Sequence, residues 1–138
     1  WLVFSFGGCV AAIPVDAVEE VSQPLPVSRV PCAGGWLRGL VNLRGQVVPV
    51  IDFCAASESS KDKNEFLVVV NAEGATIGIE VQAIHGVFTL VPQPHEHIPA
   101  GWLPLFSGVA RSPCGLVGII DHSALLAVGV DGNAHTGR

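Results

Sequence analysis

The residues in this chain with the types needed for chemistry are few. His95-Glu96-His97 offers two imidazoles flanking a carboxylate, the raw material of a metal site. A structural or catalytic metal takes three or four ligands. No Cys or His stands at a recognisable spacing from this pair, and the prolines around it make the segment a loop, so it reads as a solvated loop. Asp121-His122-Ser123 holds the residue types of a hydrolase triad, but a triad is a spatial arrangement that sequence neighbours cannot adopt. Asp121 fits better as the cap of a short helix through Leu126. Gly7-Gly8 and Gly34-Gly35 do not continue into a nucleotide-binding fingerprint. Cys9, Cys32, Cys54 and Cys114 match no zinc or redox spacing and read as reduced, buried small residues of a cytosolic protein. No catalytic residue, metal or cofactor is expected. The rival is a small β-barrel enzyme using His95, His97 or His122.

Two further groups carry charge rather than catalysis. Asp16 and Glu19-Glu20 form an acidic corner, and Arg44 sits beside Gly45. On composition alone both are solvated surface features. The net charge of −5 excludes a nucleic-acid partner, which requires a basic face. Only 14% of residues are charged, 49% are hydrophobic, and mean hydropathy is +0.52. Average domains are about 25% charged, so apolar surface is expected here, and with it a partner. No apolar run approaches the roughly 18–20 residues of a membrane span. No signal-peptide pattern is visible, and the absence of methionine suggests a trimmed or excised domain.

The elements that must position these residues are strands. Trp36 to Leu43 runs into Arg44-Gly45 and returns as Gln46 to Phe53, a β-hairpin whose turn uses the positive φ available to Gly45. Its return strand is apolar on both faces, as if both were covered. Pro49 lacks an N–H and places the strand at an edge, a bulge or a barrel corner. Trp1–Phe6 with Cys9–Ile13, and Glu65–Val70 with Ala75–Val81, read as further hairpins. Gly78 suggests a bend or a close approach of backbone. Asp16 is expected to cap a helical turn whose face holds Val15, Val18 and Val21. Residues 55–64 are polar and read as a mobile loop, and 129–138 as a frayed tail. Many short strands with turn signals between them imply an all-β sandwich or barrels. No exact repeat is visible, although two halves each carry hairpins.

Taken together, three segments resemble the CheW-like chemotaxis adaptor (coupling protein) family. The most specific is Gly39-Leu40-Val41-Asn42-Leu43-Arg44-Gly45 through Pro49 to Asp52, which fits the family string G-x-x-N-x-R-G-x-x-x-P-x-x-D at every fixed position. Ile13 to Val21 and Ile77 to Val87 support it, and the likeness runs from Trp1 to about Ala127. Gln82 stands where the family commonly has Asp.

The resemblance implies a single domain over 1–138, all-β, with two five-stranded SH3-like β-barrels packed over a shared apolar core and short helices. It implies a non-enzymatic cytoplasmic adaptor that couples chemoreceptor cytoplasmic tips to the regulatory domain of a CheA-type histidine kinase, without membrane insertion. The alternative is such a domain excised from a kinase or a receiver-fused adaptor. Receptor contact falls on Val15, Val18, Glu20, Gly39, Asn42 and Arg44. Gly45, Pro49 and Asp52 hold the hairpin, Asp52 anchoring its base.

Overall fold

The computed structural model describes residues 1–6, 9–28, 37–52, 64–93, 106–121 and 125. Ten strands account for most of them: β1 Leu2–Phe6, β2 Cys9–Ile13, β3 Val18–Ser22, β4 Leu37–Leu43, β5 Gln46–Ile51, β6 Phe66–Ala72, β7 Ala75–Val81, β8 Ala83–Val87, β9 Phe106–Ser112 and β10 Gly115–Ile120. They form two five-stranded sheets, ordered β8-β1-β2-β10-β9 (the first barrel) and β3-β6-β7-β5-β4 (the second). This is the SH3-like pair that the family resemblance implied.

β1, β2, β6 and β7 are apolar on both sides because each side meets a different core. Leu2, Phe4 and Phe6 of β1 join Val68, Val70 and Ala72 of β6 and Ile77, Ile79 and Val81 of β7 in one cluster shared by both sheets. The alternate residues point into their own barrel. Val3, Ala12, Val117 and Ile119 fill the first, and Val41, Val48, Val50, Leu67 and Val69 the second. Strand alternation thus sorts side chains between an inner and a shared core, and the near-continuous Val/Ile runs follow. At Gly78 the close approach is that of a side chain, since a Cβ there would lie 2.9 Å from Leu67 Cδ1.

The two barrels repeat one plan. In each, an antiparallel hairpin pairs in parallel with the last strand of another: β5 with β7 through Val50↔Gly78, and β10 with β2 through Gly118↔Ala11. β4 and β9 share one burial pattern, as do β5 and β10. Each barrel is bridged at the same place, Ser28 to Leu40 and Gln93 to Val109. The repeat is written in the sequence as Ile13-Pro14-Val15-Asp16-Ala17-Val18 against Ile79-Glu80-Val81-Gln82-Ala83-Ile84. Its halves exchange strands: the chain crosses from the first barrel to the second after β2 and back after β7.

Two expectations need correction and a third is narrowed. Val15–Ala17 is a single 3-10 turn with Pro14 at its N-cap and no side-chain cap, so Asp16 does not cap a helix. Val18 and Val21 lie in strand β3 instead. Of the three places expected for Pro49 only the edge is excluded, since β5 lies between β7 and β4. The register shift of the β4–β5 ladder falls just beyond Gly39↔Val50, the next pair. Pro49 pairs with Leu40, one residue before the β7 ladder begins at Val50, so its missing donor interrupts no pairing on that side. Cys9 and Cys114 are free but only half-buried. The 129–138 tail, His95–His97, His122 and all of 55–64 except Asn64 lie outside the described residues, as does the helix expected after Asp121 except Leu125.

Candidate functional site

The β4–β5 hairpin closes through a two-residue turn in which both residues have positive φ, Arg44 at 50° and Gly45 at 84°. That is the turn type whose twist matches the flanking strands. Asn42 accepts the Gly45 N–H on Oδ1 at 2.8 Å, which fixes the turn from the side chain. The β6–β7 hairpin repeats the device, with Asn71 Oδ1 accepting the Gly74 N–H at 2.9 Å and Glu73 at φ 52°. Asn42→Ala should cost about 1 kcal/mol of unfolding free energy by leaving Gly45 without this partner. Denaturant unfolding checks this, with the slope of the transition unchanged.

The turn holds Arg44 over β3. Its guanidinium donates to both Glu20 oxygens, Nη1 to Oε1 at 2.5 Å and Nη2 to Oε2 at 2.8 Å. The Arg44 side chain is still 70% exposed. The hydrogen bonds from Arg44 hold the Glu20 carboxyl below the usual glutamate range. A bidentate pair of this kind fixes direction as well as charge. Glu19 turns the other way and accepts from Asn71 Nδ2 and Thr76 Oγ1, both at 3.4 Å. β3 carries a bulge between Val18 and Glu20, with Glu19 as its unpaired residue, so Glu19 reaches towards β6 and β7 while Glu20 reaches Arg44. Asn71 in turn lines a depression of about 480 Å³ with Pro14, Asp16, Ala17 and Glu73.

Of the expected contact residues, the structure brings Glu20, Asn42 and Arg44 together. Val15 is exposed in the 3-10 turn beside the depression. Val18 is partly buried against the shared core. Gly39 is buried, and the backbone that approaches it closely is the chain's own. A Cβ at Gly39 would lie 2.3 Å from Ser28 O. Gly39 therefore lets the barrel close through the Ser28–Leu40 bridge rather than admitting a partner. Gly39→Ala should cost about 1–3 kcal/mol, because the clash is with backbone and nothing flexible can give way. A chemical-denaturation midpoint measures the loss.

At the other end of the hairpin Asp52 is buried, with Arg38 Nη1 at 3.6 Å and Asn64 Nδ2 at 3.1 Å. Arg38 Nε also lies 3.3 Å from Glu80 Oε1, and Asn64 Nδ2 donates to the same oxygen. The sequence reading overlooked Arg38, Asn64 and Glu80. It also overlooked the signal that marks Glu80, a carboxylate at the place where the repeat has Pro14. Among the described residues no three His, Cys, Asp or Glu stand close enough to hold a metal ion. Among them, too, no helix is long and apolar enough to cross a membrane.

Comparison with known proteins agrees with this architecture. The family model described as the CheW-like domain matches residues 1–129. The chain is 29% identical over 102 residues to the chemotaxis protein CheW of Klebsiella aerogenes, covering 72% of this chain and 61% of that protein. It is 24% identical over 131 residues to the chemotaxis protein CheW of Treponema pallidum, covering 87% of this chain and 77% of that one. The crystal structure of the scaffolding protein TtCheW from Thermoanaerobacter tengcongensis superposes with a TM-score of 0.71 at 25% identity, covering 87% of this chain and 86% of the other. The chain belongs to the CheW-like domain family.

Proposed function

We propose that this protein is a non-enzymatic signalling adaptor. It couples the cytoplasmic tip of a chemoreceptor to the regulatory domain of a CheA-type histidine kinase, and it works in the cytoplasm where those tips lie. The relatives named above are CheW proteins, which favours a coupling role over a kinase's own domain. The receptor-facing surface comprises Arg44 and Glu20, with Val15 beside them supplying apolar contact. Asn42 holds the Arg44 turn, Val18 backs the surface from the core, and Gly39 closes the barrel beneath it.

The observation that carries this reading is an internal comparison. At the places equivalent to Glu20 and Arg44, the first barrel has Gly86 and Pro113. That barrel closes with the same topology and without the ion pair. The pair is therefore not what the fold requires, and an exposed bidentate pair contributes little stability in any case. A charged group held rigidly at a surface selects partners more than it adds affinity.

The test is co-sedimentation of the protein with receptor tips and a CheA-type kinase. The adaptor reading predicts a ternary complex in which this chain increases kinase recovery on receptor membranes. Failure to retain either partner at high micromolar concentration contradicts it.

A further inference from the structure

Asp52 and Glu80 are 4% and 3% exposed. They share one cation, Arg38, and one neutral donor, Asn64. This gathers two carboxylates around the same guanidinium, in a place where charge is costly to bury. The cluster is also rich in acceptors. The Asn64 Oδ1 is buried without a hydrogen-bond partner. The first barrel shows that the topology does not demand this arrangement. Pro14 stands at the place of Glu80 and Ser107 at that of Arg38, while Asp121 keeps the place of Asp52.

We propose that Asp52, Glu80 and Arg38 form a proton-binding site at the base of the β4–β5 hairpin, and that proton uptake there tightens that end of the second barrel. The proton resides on Glu80. It removes one of the two negative charges around the Arg38 guanidinium, and it adds a donor to a cluster of acceptors. Arg38 and Asp52 stand at the two open ends of β4 and β5, while Asn64 and Glu80 belong to the β6 and β7 side. The proton thus acts on the tie between the Arg44-bearing hairpin and the rest of its barrel.

The sign follows from the carboxyl itself. Burial, with a smaller push from Asp52, raises the Glu80 carboxyl above its ordinary value of 4.5, against the pull of Arg38 and Asn64. The folded state then holds a proton that the unfolded chain has released. Stability rises as pH falls through the folded value, and the gain is complete near 4.5. Glu20, lowered by Arg44, acts in the opposite sense and below 4.5, so the two windows are separate.

The experiment uses the full chain. The Glu80 side-chain carboxyl is followed by carbon-13 NMR against pH, and denaturant unfolding of wild type and Glu80→Gln is compared between about pH 5 and pH 8. Glu80 should titrate above 4.5, and Arg38→Ala should move it higher. The ratio of the two unfolding constants should change with pH, by up to tenfold per unit within the window. Parallel stability profiles would overturn the proposal, as would a Glu80 carboxyl titrating at or below 4.5. If Glu80→Gln does not fold, the wild-type titration decides alone.

Discussion

Phe4→Ala should lower unfolding free energy by about 3–5 kcal/mol, the usual cost of removing a fully buried aromatic ring. Phe4 is completely inaccessible to solvent. Its ring lies 6.2 Å from that of Phe6 in a tilted arrangement that adds contact beyond simple area. The loss is a large share of the 5–15 kcal/mol that holds a domain folded. It should lower the thermal midpoint by roughly 10–20 °C. The form of the transition matters as much as its position. Phe4 stands in the cluster that Val68, Val70, Ile77 and Ile79 of the other sheet complete. Both barrels should therefore melt together, in one transition shifted as a whole. Two separate transitions in the variant would show that the barrels are coupled more weakly than the shared core requires. Val70 occupies the matching place in the second sheet, and Val70→Ala removes fewer atoms and should cost less.

The second large effect is on binding. Arg44→Glu places a carboxylate against Glu20 and reverses the charge at the hairpin tip. Both groups are solvated enough that the barrel should tolerate the change, since the first barrel closes with Pro113 and Gly86 at these places. Receptor affinity should fall at least tenfold, because a like-charge contact is unfavourable at an interface and the bidentate donor is gone. Circular dichroism and thermal midpoint should remain close to wild type. A variant that unfolds would make Arg44 structural and remove it from the surface.

Much of the hairpin that carries Arg44 was legible in the sequence. The turn at Arg44-Gly45 could be read because Gly45 is needed for positive φ and the flanking residues are apolar. The apolar run from Val47 to Ile51 suggested that both faces of β5 are covered, but only the Val48 and Val50 face is, while on the other Ile51 is buried and Val47 is 64% exposed. The 3-10 turn and β3 were misread because of the bulge. Val18 and Val21 pair with Val70 and Val68, which share a face. An extra residue between them places two valines three apart on one side of a strand, and that spacing imitates a helix. The exchange of strands between the halves was hidden for another reason. Pairings such as Gly118↔Ala11 join residues far apart in the chain, and no local pattern records them. The Glu80 cluster was missed because Glu80 alternates like a solvated strand residue. Its burial arises from Arg38, Asp52 and Asn64, which reach it from three other parts of the chain. The site was legible as residue types, and its geometry was not. Gly39 was read as a receptor-contact residue, yet the group that lies against it is the backbone of Ser28.

The central claim is that Arg44 acts on a partner and not only on Glu20. The charge-swapped double variant Glu20→Arg with Arg44→Glu tests it most directly, because it restores the internal ion pair in reverse. Receptor-tip affinity is measured for wild type, Arg44→Glu and the double variant, with thermal midpoints alongside. The account predicts that the double variant is as stable as wild type and binds as poorly as the single one. Recovery of wild-type affinity in the double variant would contradict it, since the pair would then serve only to hold the hairpin against β3.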